Sequence, residues 1–315
     1  MKNYLITGGA GFIGSHLVDS LLSEGNNVTA FDNFDKFYSR DIKLNNISSA
    51  LTFDNYQLIE GDIRNGEVLG ELFNSNHYDI VVHLAAKAGV RPSIENSVEY
   101  YDVNINGTLN ILEAMRKFDV KNLIFASSSS VYGNNKIVPF AESDNVDNPI
   151  SPYAATKKSG ELLCHTYYHL YDFKINCLRF FTVYGPRQRP DLAINKFTKK
   201  IMNGETIQMF GDGTTKRDYT YIDDIVQGII LAIENLNGYD IFNLGESRTI
   251  MLKELISLLE KTIGSNANIE KLPLQPGDVE QTYADISKAR ELLKYNPQFE
   301  IEEGIKNFIE WLKIN

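Results

Sequence analysis

Tyr4-Leu5-Ile6-Thr7-Gly8-Gly9-Ala10-Gly11-Phe12-Ile13-Gly14 decides the fold. An apolar strand runs into glycines spaced GxxGxxG, and an amphipathic run follows to Glu24. Gly25 ends that helix, and residues 27–31 form a second strand. Strand, glycine turn and helix in this order make a dinucleotide-binding unit. Gly8 allows the tight turn, Gly11 lets backbone approach a pyrophosphate, and Gly14 lets helix pack on strand. With Phe12 and Ile13, they open a helix whose free N–H groups face phosphate. Asp32 closes the second strand, with Asn33 after it. A carboxylate there accepts from a ribose 2′-OH and repels a 2′-phosphate, which favours NAD over NADP. Arg40 lies too far along a polar loop to reverse that preference.

Working outward, strand and helix keep alternating. A strand at 56–60 leads into Gly61-Asp62-Ile63-Arg64, where Asp62 either reaches an adenine amino group or caps a helix at 65–74. A strand at 79–83 leads into Leu84-Ala85-Ala86-Lys87, small enough for a flat ligand to lie against backbone. A long helix at 98–118 carries Asn104. A strand at 123–126 ends in Ser127-Ser128-Ser129-Ser130, hydroxyls at the sheet edge where such folds bind ligands. Ser151-Pro152-Tyr153-Ala154-Ala155-Thr156-Lys157 then opens a helix to about residue 171, with Ser151 as N-cap and Pro152 in the first turn. Tyr153 and Lys157 share one face, and a cation beside a phenol favours the phenolate, below its free pKa of ~10. A sixth strand spans 174–179.

This alternation predicts an α/β fold, a Rossmann-type doubly wound parallel sheet over residues 1–180. From Phe181 the pattern changes. Helices at 193–203, 222–236, 251–263, 285–294 and 302–313 alternate with short strands at 207–209 and 240–243. Residues 181–315 read as a smaller α/β substrate lobe, interleaved with the first at the boundary.

The 315 residues are 43% hydrophobic and 23% charged, ordinary for a globular chain. A formal charge of −10 argues against a nucleic-acid binder. Cys164 and Cys177 are the only cysteines, without CxxC or HExxH, so no metal site is expected and both thiols read as buried. No apolar run approaches the ~18 residues of a membrane span. With no signal peptide before the first strand, the expected compartment is the cytoplasm.

These motifs together resemble the extended short-chain dehydrogenase/reductase family. Arg217-Asp218-Tyr219, Tyr221-Ile222-Asp223-Asp224 and Pro276-Gly277-Asp278-Val279 extend the likeness over the whole chain. Within the family the chain looks most like the nucleotide-sugar 4-epimerases, and closest to those that convert UDP-glucuronate to UDP-galacturonate. Ala88-Gly89-Val90-Arg91-Pro92-Ser93 and the run Phe180-Phe181-Thr182-Val183-Tyr184-Gly185-Pro186-Arg187-Gln188-Arg189-Pro190-Asp191 carry the narrower likeness.

The resemblance implies tightly held NAD, a UDP-sugar substrate and a homodimer paired through helices 98–118 and 153–171. It assigns Tyr153 as base, Lys157 as the group that lowers its pKa, and Ser128 as catalytic hydroxyl, with Ser130 a second candidate. Thr182, Val183, Arg187 and Arg189, with Arg91 and Ser129, fall on the sugar side. Arg217 and Asp278 fall on the diphosphate and uridine ribose. Related 4,6-dehydratases carry Asp-Glu where this chain has Ser129-Ser130, and UDP-xylose-forming decarboxylases carry Glu at Ser130. Both departures count against those activities. A UDP-glucose or UDP-N-acetylglucosamine epimerase and a non-catalytic NAD-binding module are the rival readings.

Overall fold

The first half of the chain alternates six strands with helices, ordered by burial on both faces. In chain order they are β1 (Asn3–Thr7), α1 (Phe12–Ser23), β2 (Asn27–Asp32), α2 (Arg40–Asn46), β3 (Tyr56–Glu60), α3 (Gly66–Ser75), β4 (Ile80–His83), α4 (Val90–Glu95), α5 (Ser97–Tyr101), α6 (Gly107–Lys117), β5 (Asn122–Ser128), α7 (Pro152–Tyr171) and β6 (Lys174–Phe180). The structure, a computed structural model, describes residues 1–274 and 277–314. Pro276, quoted above for the family motif, lies outside the described residues.

The second half contributes β7 (Thr182–Tyr184), α8 (Ala193–Met202), β8 (Thr206–Phe210), β9 (Lys216–Arg217), β10 (Tyr219–Tyr221), α9 (Ile222–Glu234), β11 (Tyr239–Leu244), β12 (Ile250–Met251), α10 (Leu252–Ile263), β13 (Asn268–Leu272), α11 (Ser287–Leu292) and α12 (Ile301–Ile314). The main sheet has seven parallel strands in the order β11-β6-β5-β4-β1-β2-β3. Its last strand therefore comes from beyond residue 181: β11 pairs with β6. The other strands form three two-stranded pairs, β7 with β10, β8 with β13 and β9 with β12.

Alternate side chains of each strand feed two cores. Ile6, Val82, Ile124 and Leu178 pack with Leu17 and Leu21 of α1 and Ile225 and Ile229 of α9. Leu5, Val81, Leu123 and Phe125 pack on the other face with Leu69 of α3, Leu112 of α6 and Cys164 of α7. A parallel sheet covered on both faces needs this apolar run in every strand. Cys164 and Cys177 are both buried and free, as expected.

The long helix expected at 98–118 is not uniform. Between α5 and α6, residues Asp102–Asn106 form a single π turn. Asn104 explains it. Its side chain accepts from the Lys87 N–H at 2.8 Å and donates to the Lys87 carbonyl at 2.9 Å and to the Thr156 hydroxyl at 3.0 Å. The widened turn admits an inserted residue that aims inward. Among the described residues no helix is long and apolar enough to cross a membrane.

Candidate active site

The carboxyl ends of β1, β2, β4 and β5, with β7, open onto a cavity of about 510 Å³. Gly8 stands at φ +73°, and a Cβ there would lie 2.8 Å from the Ala85 nitrogen. A Cβ on Gly14 would come within 2.2 Å of the Gly8 carbonyl oxygen. Only glycine fits at both places, so the turn and the helix start form a bare backbone cradle. Gly11 caps α1 without any side-chain bond, which leaves the first N–H groups of α1 facing the cavity.

Asp32 is buried at the end of β2. Its carboxylate accepts from the Phe34 N–H at 2.9 Å, the Ala10 N–H at 3.2 Å and the Lys43 ammonium at 2.9 Å. Lys43 had no predicted role. Arg40 is held away, forked on Glu60 at 2.9 and 2.7 Å. Asp62 pairs with Arg64 at 2.7 Å, which draws its pKa down to about 2. It does not cap α3, whose N-cap is Asn65. Lys87 reaches Asp35 at 3.1 Å and Glu99 at 2.9 Å across the mouth of the groove.

The same cavity holds the catalytic candidates. Ser151 caps α7 by accepting from the Ala154 N–H at 3.1 Å, with Pro152 in the first turn. The Tyr153 N–H donates to Ser93 Oγ at 3.1 Å, a second capping group that spacing alone had not revealed. Burial raises the Tyr153 pKa, while the Ser128 hydroxyl and the Arg189 charge pull it back. Of the two candidate hydroxyls, Ser128 is the one that acts on the phenol. Its Oγ also accepts from the Ser130 N–H at 3.1 Å. Lys157 is anchored on the strand beside the phenol. Its Nζ donates to the Ala126 carbonyl at 2.6 Å, and burial pushes its own pKa down to about 8.

Of the residues expected at the cofactor, Gly8, Gly11, Phe12, Ile13, Gly14, Asp32, Asn33, Ile63, Leu84, Ala85, Ala86 and Lys87 line the cavity wall. Ser128, Ser129, Ser130, Tyr153, Lys157, Thr182, Val183 and Arg189 line the remainder. Several expected residues stand elsewhere. Asp62 borders the adjoining outer groove. Asn104 lies behind the wall and acts through Lys87 and Thr156. Arg187 faces away, paired with Asp19 of α1 at 2.7 Å. With the His16 ring nitrogen 3.0 Å from the Pro186 carbonyl oxygen, it ties the arginine loop to the glycine-turn helix. Arg91 and Asp278 pair at 2.8 Å, and the Arg91 guanidinium lies 4.3 Å from the Phe210 ring centre. Arg217 feels the charges of both, so the three form one cluster outside the residues that line the cavity. Asp191 also lines the cavity and was missed as a functional group.

A glycine cradle without a Cβ, a buried carboxylate after β2, and a Ser-Tyr-Lys set at the sheet edge define a Rossmann-type dinucleotide enzyme of the short-chain dehydrogenase/reductase kind. The profile of the GDP-mannose 4,6-dehydratase family matches residues 5–308, and the chain belongs to that family. It is 46% identical to a UDP-glucuronate 4-epimerase from Thermodesulfobacterium geofontis, over 100% of this chain and 97% of that protein. The crystal structure of UDP-glucuronic acid 4-epimerase from Bacillus cereus, in complex with UDP-glucuronic acid and NAD, superposes with a TM-score of 0.93 at 39% identity, covering 99% of each chain. UDP-glucose 4-epimerase from Thermotoga maritima, solved with UDP-glucose, has a TM-score of 0.91 at 35% identity and covers 99% of each chain.

Proposed function

We propose that this chain is an NAD-dependent epimerase that interconverts UDP-glucuronate and UDP-galacturonate at C4. The observation that carries the reading is the placement of Arg189 and Thr182 in one cavity with Ser128, Tyr153 and Lys157. A cation and a hydroxyl there suit a C6 carboxylate beside the reacting carbon. The two relatives that act on UDP-glucuronate support the same substrate.

The Gly8–Gly14 turn, Asp32 and Lys87 hold the cofactor, and Lys157 and Tyr153 orient its reactive end. Bound NAD+ would supply the acceptor for the hydride that leaves C4 and the donor that returns it to the opposite face. Tyr153, as phenolate, takes the C4 hydroxyl proton, and Ser128 stabilises that anion. After the 4-keto sugar turns its other face, Tyr153 gives the proton back. The stereocentre inverts without net redox change, so no second substrate is needed. Arg217, Asp278 and Arg91 grip the nucleotide while the sugar turns. Ser129 and Ser130 lack the acid and base that water loss across C5 and C6 requires, so the family's dehydratase label does not transfer.

The 4-keto uronate is a β-keto acid, which loses CO2 when its carboxylate is unpaired and aligned with the carbonyl. Arg189 and Thr182 hold it off that alignment, with Ser130 beside them. The first lobe carries the cofactor and the second the UDP-sugar, apart from β11. The protein forms a homodimer through α5, α6 and α7, a pairing supported by exposed Val98, Tyr101 and Leu109 and by Leu162 and Leu170. Sedimentation at micromolar concentration checks it: a single-chain mass would contradict it. The substrate reading is tested with Arg189→Ala. KM for UDP-glucuronate should rise far more than the inhibition constant of UDP-glucose. Equal losses on both would sink it.

A further inference from the structure

Arg189 is not waiting with an open guanidinium. Its Nε donates to Asp191 Oδ1 at 2.9 Å and its Nη2 to Asp191 Oδ2 at 2.7 Å. This is the paired-donor edge that a substrate carboxylate would use for a two-point grip. Nη2 also points at the Ala88 carbonyl, 3.5 Å away, and the guanidinium carbon stands 5.1 Å from the Phe37 ring centre. Nη1 has no hydrogen-bond partner among the described residues. The Arg189 side chain is 17% exposed and that of Asp191 35%. Both line the cavity that holds Tyr153.

We propose that Asp191 is a positioning residue that sets how tightly Arg189 grips the sugar carboxylate. The inference rests on the uronate reading above and concerns the same site. Asp191 is tethered two residues away, so its effective concentration at the guanidinium far exceeds that of any free ligand. It keeps the Nε–Nη2 edge filled, and the substrate carboxylate meets Nη1 end-on. A one-point contact of this kind can be released and remade. That matters because the 4-keto sugar must turn over between its two proton and electron transfers, carrying C6 with it. A full two-point grip in one pose would stabilise the ground state and oppose the turn, lowering KM and kcat together. Asp191 also cancels charge in a partly buried cleft that already contains Lys157. Arg189 can then discriminate for a carboxylate without trapping it.

The test compares Asp191→Asn and Asp191→Glu with wild type. Initial rates are measured in both directions on the UDP-uronates, with UDP-glucose as a competitive inhibitor. Near-ultraviolet absorbance follows reduced nicotinamide during turnover. Asn removes the competing charge but keeps the size. Asp191→Asn should lower KM and lower kcat, each by roughly tenfold, and raise the fraction of reduced cofactor at steady state. The inhibition constant of UDP-glucose should stay unchanged. Asp191→Glu, which keeps the charge, should stay near wild type. A raised KM with lowered kcat, unchanged constants, an equal change for UDP-glucose, or a Glu variant as impaired as Asn would each overturn the proposal. Wild-type protein inert on UDP-glucuronate would instead overturn the uronate reading, a separate failure.

Discussion

The Lys157 ammonium donates to the Ala126 carbonyl oxygen across 2.6 Å, two residues before Ser128 on the same strand. The cation is thus anchored on β5, while burial raises the pKa of its neighbour Tyr153 and the Ser128 hydroxyl and the Arg189 charge lower it. Burial drives the Lys157 pKa from 10.5 to about 8, so the ammonium is still charged at neutral pH and costs stability. The folded pKa lies below the unfolded one. The penalty is therefore complete below the folded value and is relieved as pH rises towards the unfolded value. A shift of that size corresponds to roughly 3 kcal/mol.

Lys157→Met should therefore raise the urea midpoint at neutral pH while lowering kcat by about a hundredfold or more. Equilibrium unfolding of cofactor-stripped protein, beside steady-state rates, checks both halves. A variant that loses stability would show that the lysine is structural.

Behind Ser128, a buried ion pair ties α7 to the sheet. Arg179 forks onto Glu161 at 2.8 and 2.9 Å and donates to the Tyr132 hydroxyl at 2.9 Å, while the Ser127 hydroxyl reaches Glu161 at 2.6 Å. Both charged side chains are 1% exposed. Glu161→Ala leaves an uncompensated guanidinium and should cost about 3–5 kcal/mol. Adding Arg179→Met should recover part of that loss, as a double-mutant cycle by urea unfolding would read. Strict additivity would contradict a coupled pair.

Glu246 is a second pH-sensitive element. Burial, with the Asp224 carboxylate beside it, raises its pKa to about 8. Arg248 at 3.5 Å offsets this only partly. A raised folded pKa gives stability that is complete below the ordinary glutamate value and lost as pH rises through about 8. Asp218, raised by burial to about 6, acts in a lower window. Stability should fall between about pH 6 and pH 8, and Glu246→Gln should flatten that slope. An unchanged slope in the variant would assign the titration elsewhere.

Local spacing made much of this molecule legible. Gly8, Gly14 and Asp32 mark a turn whose chemistry lies within one βαβ unit, and Tyr153 with Lys157 lie one helical turn apart. The hidden features depend on partners distant in the chain. Arg187 looked like a substrate ligand because nothing near it shows that Asp19 waits on α1. The π turn at Asn104 follows from the backbone of Lys87. Periodicity marks residues 240–243 as a strand but carries no information on which sheet receives it. The Arg189–Asp191 fork spans only two residues, yet its meaning appears only once both side chains face the cavity of Tyr153.

The most direct measurement incubates purified protein with UDP-glucuronate, without added cofactor, and identifies products by proton NMR. The account predicts UDP-galacturonate rising to a steady ratio from either side. UDP-xylose or a 4-keto pentose would contradict the protection assigned to Thr182 and Arg189. No conversion, with UDP-glucose or UDP-N-acetylglucosamine epimerised instead, would contradict the substrate itself.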